Sequence, residues 1–233
     1  GNIVFTNIFG DVIGDFNPHE FALDVAYARK LSDDFSGGIA LRYIYSNLSG
    51  NIYLAEGGAT THPGMSAAAD VSGYYHKKVL LSGKNGLFAA GVNVSNIGAK
   101  ISYTDSGDKN FIPINMRVGP SLSIDLDNYN AVMFVVDMNK LLVPTPDPQD
   151  STREWMEKTV SEGIFQSFSD APGGSKEEFN EITWSIGMEY VYDKQFALRG
   201  GYFYEQENKG ARKFFTVGAG LKYNVFGLDF AYL

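Results

Sequence analysis

The 233-residue chain contains no cysteine, which removes disulfide frameworks and thiolate metal sites from consideration. It also lacks any run approaching the ~18 to 20 consecutive apolar residues of a membrane helix. The densest stretch, Ala131 to Val136, is six residues long. That exclusion covers helical spans only, because barrel strands give a far weaker hydropathy signal per segment. Basic residues are in deficit, 19 against 27 acidic for a formal net charge of −8, which argues against a nucleic-acid or anionic-lipid partner. The three histidines, His19, His62 and His76, have no ligand spacing, so neither a metal site nor a cofactor is expected. The chain opens on Gly1 without a signal-peptide pattern and reads as a processed form or a fragment.

What the sequence has is a period of two. Ile114, Met116, Val118, Pro120, Leu122, Ile124 and Leu126 share one face of a segment, against Asn115, Arg117, Gly119, Ser121, Ser123 and Asp125. Phe21, Leu23, Val25 and Tyr27 oppose Ala22, Asp24, Ala26 and Ala28; Phe226, Leu228, Phe230 and Tyr232 oppose Gly227, Asp229 and Ala231. Such alternation marks strands with one face buried in an apolar medium. Eleven strands are expected, at about 2–9, 20–31, 35–48, 65–79, 86–98, 113–127, 130–143, 180–192, 195–206, 213–223 and 226–233. Many exceed the ~5 to 6 residues usual in soluble proteins and reach the ~9 to 11 that cross a bilayer at a tilt.

The connections alternate between short and long. Short turns follow the second, fourth, sixth, eighth and tenth strands; longer loops cover 10–19, 49–64, 99–112, 144–179 and 207–212. In an antiparallel meander this places every short turn at one end, as in outer-membrane barrels. Tyrosines and phenylalanines cluster near both strand ends, where interfacial aromatic girdles form. The expected fold is all-β: a transmembrane antiparallel up-and-down β-barrel, a single domain over 1–233. An odd strand count suggests that it is incomplete at one or both ends.

Four blocks then point to a family. The runs FNPHEFALDVAYARKLSDDFSGGIALRYIYSNLSG (Phe16 to Gly50), PGMSAAADVSGYYHKK (Pro63 to Lys78), NKLLVPTPDP (Asn139 to Pro148) and the terminal GLDFAYL resemble the PorV/PorQ family of the type IX secretion system of Bacteroidetes. The resemblance implies an integral outer-membrane protein, FadL-like, of about fourteen strands, with its loops facing the cell surface. It also implies a cargo shuttle rather than an enzyme. The partners would be secreted cargo proteins with a C-terminal signal domain, the translocon barrel of SprA/Sov type, the PorU sortase with its attachment complex, and outer-membrane lipid.

Two sets of residues are candidate sites. The inward face carries Asp24, Arg42, Asp70, Arg117, Asp125, Asp137, Glu189, Arg199 and Asp229, either as a polar lumen gripping a plug or as charge pairs stiffening the wall. The 144–179 loop opens on the stiff VPTPDP segment. It continues with Trp155, Met156, Val160, Ile164 and Phe168 at about helical spacing, with Asp150 or Ser151 as a possible cap and Ala171-Pro-Gly-Gly as a stop. This amphipathic piece is either a contact for cargo and secretion partners or a lid folded onto the barrel mouth. Trp155, Met156, Ile164, Phe165 and Phe168, and secondarily Tyr53 and Leu54 of the 51–64 loop, are the expected partner-binding residues. A nucleophile triad from Asp70, Ser72 and His76 fails on distance, since a strand rise of ~3.3 Å per residue separates Asp70 from His76 by about 20 Å. The rival readings are a FadL-like transporter of hydrophobic small molecules, a lipid-modifying enzyme, and a barrel with no specific partner.

Overall fold

The computed structural model describes residues 3–6, 9–48, 50, 60–104, 109–147, 150 and 152–233. Ten strands form one antiparallel sheet in which every neighbour is also the next in sequence: β3 (His19–Lys30), β4 (Phe35–Asn47), β5 (Gly64–Leu81), β6 (Lys84–Gly98), β7 (Asn115–Asp125), β8 (Asn130–Leu141), β9 (Thr183–Tyr192), β10 (Phe196–Tyr204), β11 (Lys213–Tyr223) and β12 (Phe226–Tyr232). This is the up-and-down order that the alternating turns predict. The sheet is open, with β3 and β12 at its two edges.

Along β3, β4, β9, β10 and β11 the apolar set is exposed, and in β7 and β8 it is mostly half-buried. Leu23 and Val25 of β3 are 66% and 70% exposed, and Ile39, Leu41, Ile186, Met188, Leu198 and Phe215 are likewise open. A water-soluble sheet buries that face. Here it is the outer surface, as in β-barrels that turn their apolar face outward. The inner face carries small and polar residues, and their smallness is used. At Gly119 a Cβ would fall 1.9 Å from Oδ1 of Asp137, so glycine lets the Asp137 carboxylate lie across β7.

The short turns are local devices. Ser82 and Gly83 both take positive φ (50° and 79°), the conformation that matches the twist of a tight hairpin. Asp127 Oδ1 accepts the backbone N–H groups of Tyr129 and Asn130, each at 2.8 Å. In the ten-stranded sheet the register shifts between Ala69 and Val71 of β5, where Ser95 and Asn96 of β6 together oppose Asp70. Opposite it Asn96 adopts φ 59°, a left-handed conformation that asparagine tolerates better than most side chains.

Several expectations change. The segment 2–9 is not the first strand of the barrel sheet, and 10–19 is not a plain loop. β1 (Ile3–Thr6) pairs with β2 (Val12–Phe16) as a separate two-stranded sheet, so the eleven expected strands become ten in the wall and two outside it. Asn17-Pro18 divides β2 from β3, because proline offers no N–H to a ladder. The helix expected through 153–168 is also in pieces. A 3-10 turn covers Glu154–Met156 and α1 covers Val160–Gln166. The cap of α1 is Thr159 rather than Asp150 or Ser151. Thr159 Oγ1 accepts from the Glu162 N–H, and Glu162 Oε2 accepts from the Thr159 N–H at 2.8 Å. That reciprocal pair is the Thr-x-x-Glu capping box. Asp150 instead holds the 3-10 turn through the Glu154 N–H at 2.9 Å, and Ser151 lies outside the described residues. After the Pro172-Gly-Gly turn a second helix, α2 (Ser175–Asn180), forms where only loop was expected.

Candidate functional site

The long-loop end is capped. Ile101 and Ile112 of the 99–114 segment, Ile114 just before β7 and Leu142 just after β8 form a small buried core with Ala68, and Val160 and Ile164 of α1 pack against it. The apolar stripe of α1 thus faces the barrel mouth. The 99–114 segment is pinned from below, where Tyr103 Oη donates to Ser46 Oγ at 2.9 Å and Ser46 Oγ donates to Glu20 Oε1 at 2.5 Å. Gly64 leaves room for this segment, since a Cβ there would meet Ile101 at 2.7 Å. Lys100 ties the segment to the cap. Its Nζ donates to the Met156 carbonyl at 2.6 Å and lies 4.3 Å from the Phe111 ring, and partial burial together with Lys109 lowers its pKa.

An ionic network holds the second helix. Lys140 Nζ, 5% exposed as a residue, bonds Glu178 at 3.0 Å and Glu181 at 2.8 Å. Glu181 also accepts from Thr145 Oγ1 at 2.8 Å and from Lys209 at 3.0 Å, and Lys209 reaches Glu177 at 2.6 Å. Burial would raise the Glu181 pKa, but the Lys140, Lys209 and Thr145 hydrogen bonds outweigh it and hold it below the glutamate range. The Lys209 bond likewise lowers Glu177, and the Arg212 bond lowers Glu205. Asp170 goes the other way, raised by burial, although the Thr145 N–H opposes the shift. Sequence reasoning missed this network because its pairs lie 28 to 41 residues apart. The available cue was Glu177 and Glu181 at i and i+4, a like-charge helix pair that needs cations.

The inward charges divide into two clusters and three single residues. Toward the long-loop end, Arg42 Nε bonds Asp24 at 2.7 Å and its Nη2 reaches Asp70 at 3.4 Å, while Nη1 bonds the Asn96 side chain. Asn96 also donates its backbone N–H to Asp70 at 2.8 Å and its side-chain amide to the Pro113 carbonyl at 3.0 Å. The left-handed bulge therefore turns one asparagine into a clip joining β4, β5 and β6 to the cap. Toward the short-turn end, Arg199 bonds Glu189 at 2.5 Å and also Asp229, linking β9, β10 and β12. Arg117, Asp125 and Asp137 form no ion pair among the described residues. Arg117 and Asp137 line a cavity of about 550 Å³ with Phe203, Pro144 and Lys209. Asp70 is committed to Arg42 and Asn96, while Ser72 Oγ donates to the Gly38 carbonyl at 3.3 Å and His76 sits beside Tyr74, so the three do not converge.

Of the expected partner-binding residues, Ile164 is packed onto the core, Trp155 and Met156 are half-buried, and Phe165 and Phe168 are exposed. Tyr53 and Leu54 lie outside the described residues.

Residues 1–148 match the family model described as type IX secretion system protein PorV. The chain belongs to the PorV family. The match covers 148 of 233 residues and takes in β1 to β8 with the Arg42 clip. The cap helices and β9 to β12 lie beyond the matched residues and continue the same sheet. No curated protein matches the sequence. Membership of the PorV family assigns the chain to the type IX secretion system.

Proposed function

We propose that this PorV-family chain is an integral outer-membrane protein with its long loops at the cell surface. There it shuttles cargo, taking the C-terminal signal domains of secreted proteins from the SprA/Sov-type translocon barrel and passing them to the PorU sortase and its attachment complex. The barrel retains the protein in the membrane and lets it move between the two machines, and the chain performs no chemistry of its own. The observation that carries this reading is the split of α1. Val160 and Ile164 are spent on the mouth core, which fixes the helix, while Phe165 is left 77% exposed. A rigidly mounted, exposed aromatic at the rim is the kind of anchor that protein interfaces use. The half-buried Trp155 and Met156 are assigned to the same partner surface, with Tyr53 and Leu54 as secondary contacts.

The test is co-purification of cargo and sortase with the protein from detergent-solubilised membranes. Phe165→Asp, which touches no buried contact, is expected to abolish cargo recovery while the barrel remains in the membrane. Normal cargo recovery would overturn the proposal. The second reading, a FadL-like transporter of hydrophobic small molecules, draws on the 550 Å³ cavity and its Leu141, Val143 and Phe203 lining. Arg117, Asp137, Lys209 and Arg212 in the same wall weigh against an apolar cargo.

A further inference from the structure

The α2 helix sits at the rim: on its inner side Glu177 and Glu181 bond Lys209, which lines the 550 Å³ cavity, and on its outer side Glu178 bonds Lys140. Strand alternation puts Lys140 on the face of Phe134, Val136 and Met138, and Met138 pairs with Trp184, whose face carries the open Ile186 and Met188. Lys140 is therefore an outward lysine, buried because Glu178 and Glu181 close over it. The neighbour of Glu178, Phe179, is 61% exposed, with its ring 6.0 Å from that of Trp184. An apolar line thus runs unbroken from Met188 through Ile186 and Trp184 to Phe179. Beside Phe179 opens a cleft of about 400 Å³, walled by Phe168, Phe179 and Ile182, with Lys140 and Glu178 also in its lining.

The height of this cleft follows from the strand. β9 has ten residues, so at ~3.3 Å per residue and a tilt of about 40° it rises about 25 Å, the height of the apolar band of an outer-membrane barrel. Trp184, at its upper end, stands where tryptophans concentrate, at the bilayer interface. The cleft adjoins that level.

We infer that the Phe168–Phe179 cleft is the upper end of the lipid-facing surface and seats an acyl chain of a lipid in the adjacent leaflet. The inference rests on the membrane placement given under Proposed function. It is favoured over a protein occupant because the cleft is continuous with the lipid band through Trp184, and its aromatic walls suit a flexible alkyl chain. It gives the cap two surfaces: an aromatic at Phe165 free for a partner, and an outer wall bedded in lipid.

Fluorescence quenching tests it, since the chain has two tryptophans. The protein is reconstituted in phosphatidylcholine nanodiscs with or without bromine on the acyl chains, with any tryptophan outside these 233 residues replaced by phenylalanine. Trp155→Phe leaves Trp184 as the sole reporter of the barrel band. Adding Trp184→Phe with Phe179→Trp or, from the opposite wall, Phe168→Trp reports the cleft, and Phe165→Trp in the same background is the control. The expected result is that brominated lipid quenches both cleft reporters as strongly as Trp184 and leaves the Phe165→Trp reporter bright. Strong quenching of Trp184 with both cleft reporters unquenched overturns the inference and leaves the membrane reading standing, with the cleft given to water or a protein. Equal quenching of the Phe165→Trp control also overturns it, because the cleft would then be no different from the rest of the cap. An unquenched Trp184 overturns the membrane reading itself.

Discussion

The two ends of the barrel are built on different principles. At the short-turn end each connection is shaped by its own residues: Ser32 Oγ accepts the Phe35 N–H at 3.1 Å, Asp127 accepts from Tyr129 and Asn130, and Asn224 takes a positive φ to turn β11 into β12; single bonds such as Lys84 Nζ to the Leu126 carbonyl at 2.5 Å tie one turn to the next. At the long-loop end the contacts join residues remote in sequence: Lys100 to Met156, Tyr103 to Ser46, Lys140 to Glu178 and Lys209 to Glu181. The difference separates two tasks. Local turns set the register of the wall one hairpin at a time. The cap is one cooperative body that no single loop would form alone, and it holds its outer surface by buried contacts beneath it.

Four changes would break or sharpen that contrast. The largest effect is expected at Lys140. Lys140→Met leaves Glu178 without an ammonium partner and Glu181 with Lys209 alone, and breaking a buried pair by removing one partner costs about 4 kcal/mol. Hydrogen exchange and limited proteolysis should show residues 142–182 opening while β3 to β6 stay protected. Equal loosening of the turn end would mean that the two ends are not independent. Next, Leu142→Ala removes a side chain from the mouth core, and such truncations cost about 3 kcal/mol. The same readouts should show α1 and the 99–114 segment released together, because Val160, Ile164, Ile101 and Ile112 share that core.

Acidification comes third. Glu181, Glu177 and Glu205 titrate below their ordinary value in the folded cap because Lys140, Lys209 and Arg212 favour the carboxylates. Their contribution is complete above the unfolded value of about 4.3 and is lost as pH falls through the depressed folded values. Asp170, raised by burial, has the opposite sign and offsets part of the loss, since its protonation favours the folded cap. Exchange of residues 142–182 should therefore accelerate below about pH 4, and Asp170→Asn should deepen the loss at low pH by removing the opposing group. The smallest effect is expected from Asp127→Ala, which frees two backbone N–H groups to water. Exchange should change over 126–131 alone, with the cap untouched.

Much of the wall was legible because a strand's side-chain period is two, and every apolar residue of a lipid-facing strand declares its face. The open Leu23, Val25, Ile186 and Phe215 follow from that alternation, as does the long–short rhythm of the connections. Gly10 and Asn17-Pro18 obscured the β1–β2 hairpin, because turn residues there fragment two strands too short to show a period. In the cap, apolar spacing beginning at Trp155 drew the expected cap to Asp150 or Ser151, and only the packing of Val160 and Ile164 on the mouth core decides that the helix starts at Thr159.

The sequence by itself determined an all-β up-and-down wall with an apolar outer face, and it carried the family resemblance. These depend on neighbours in the chain and on a two-residue period. The tertiary structure decided which charges meet, that Asn96 clips the bulge to Arg42 and Asp70, that Lys140 is buried beneath α2, and that Ile164 faces in while Phe165 faces out. Those outcomes depend on distances between segments tens of residues apart, and a single strand's pattern holds no information about what folds over its end.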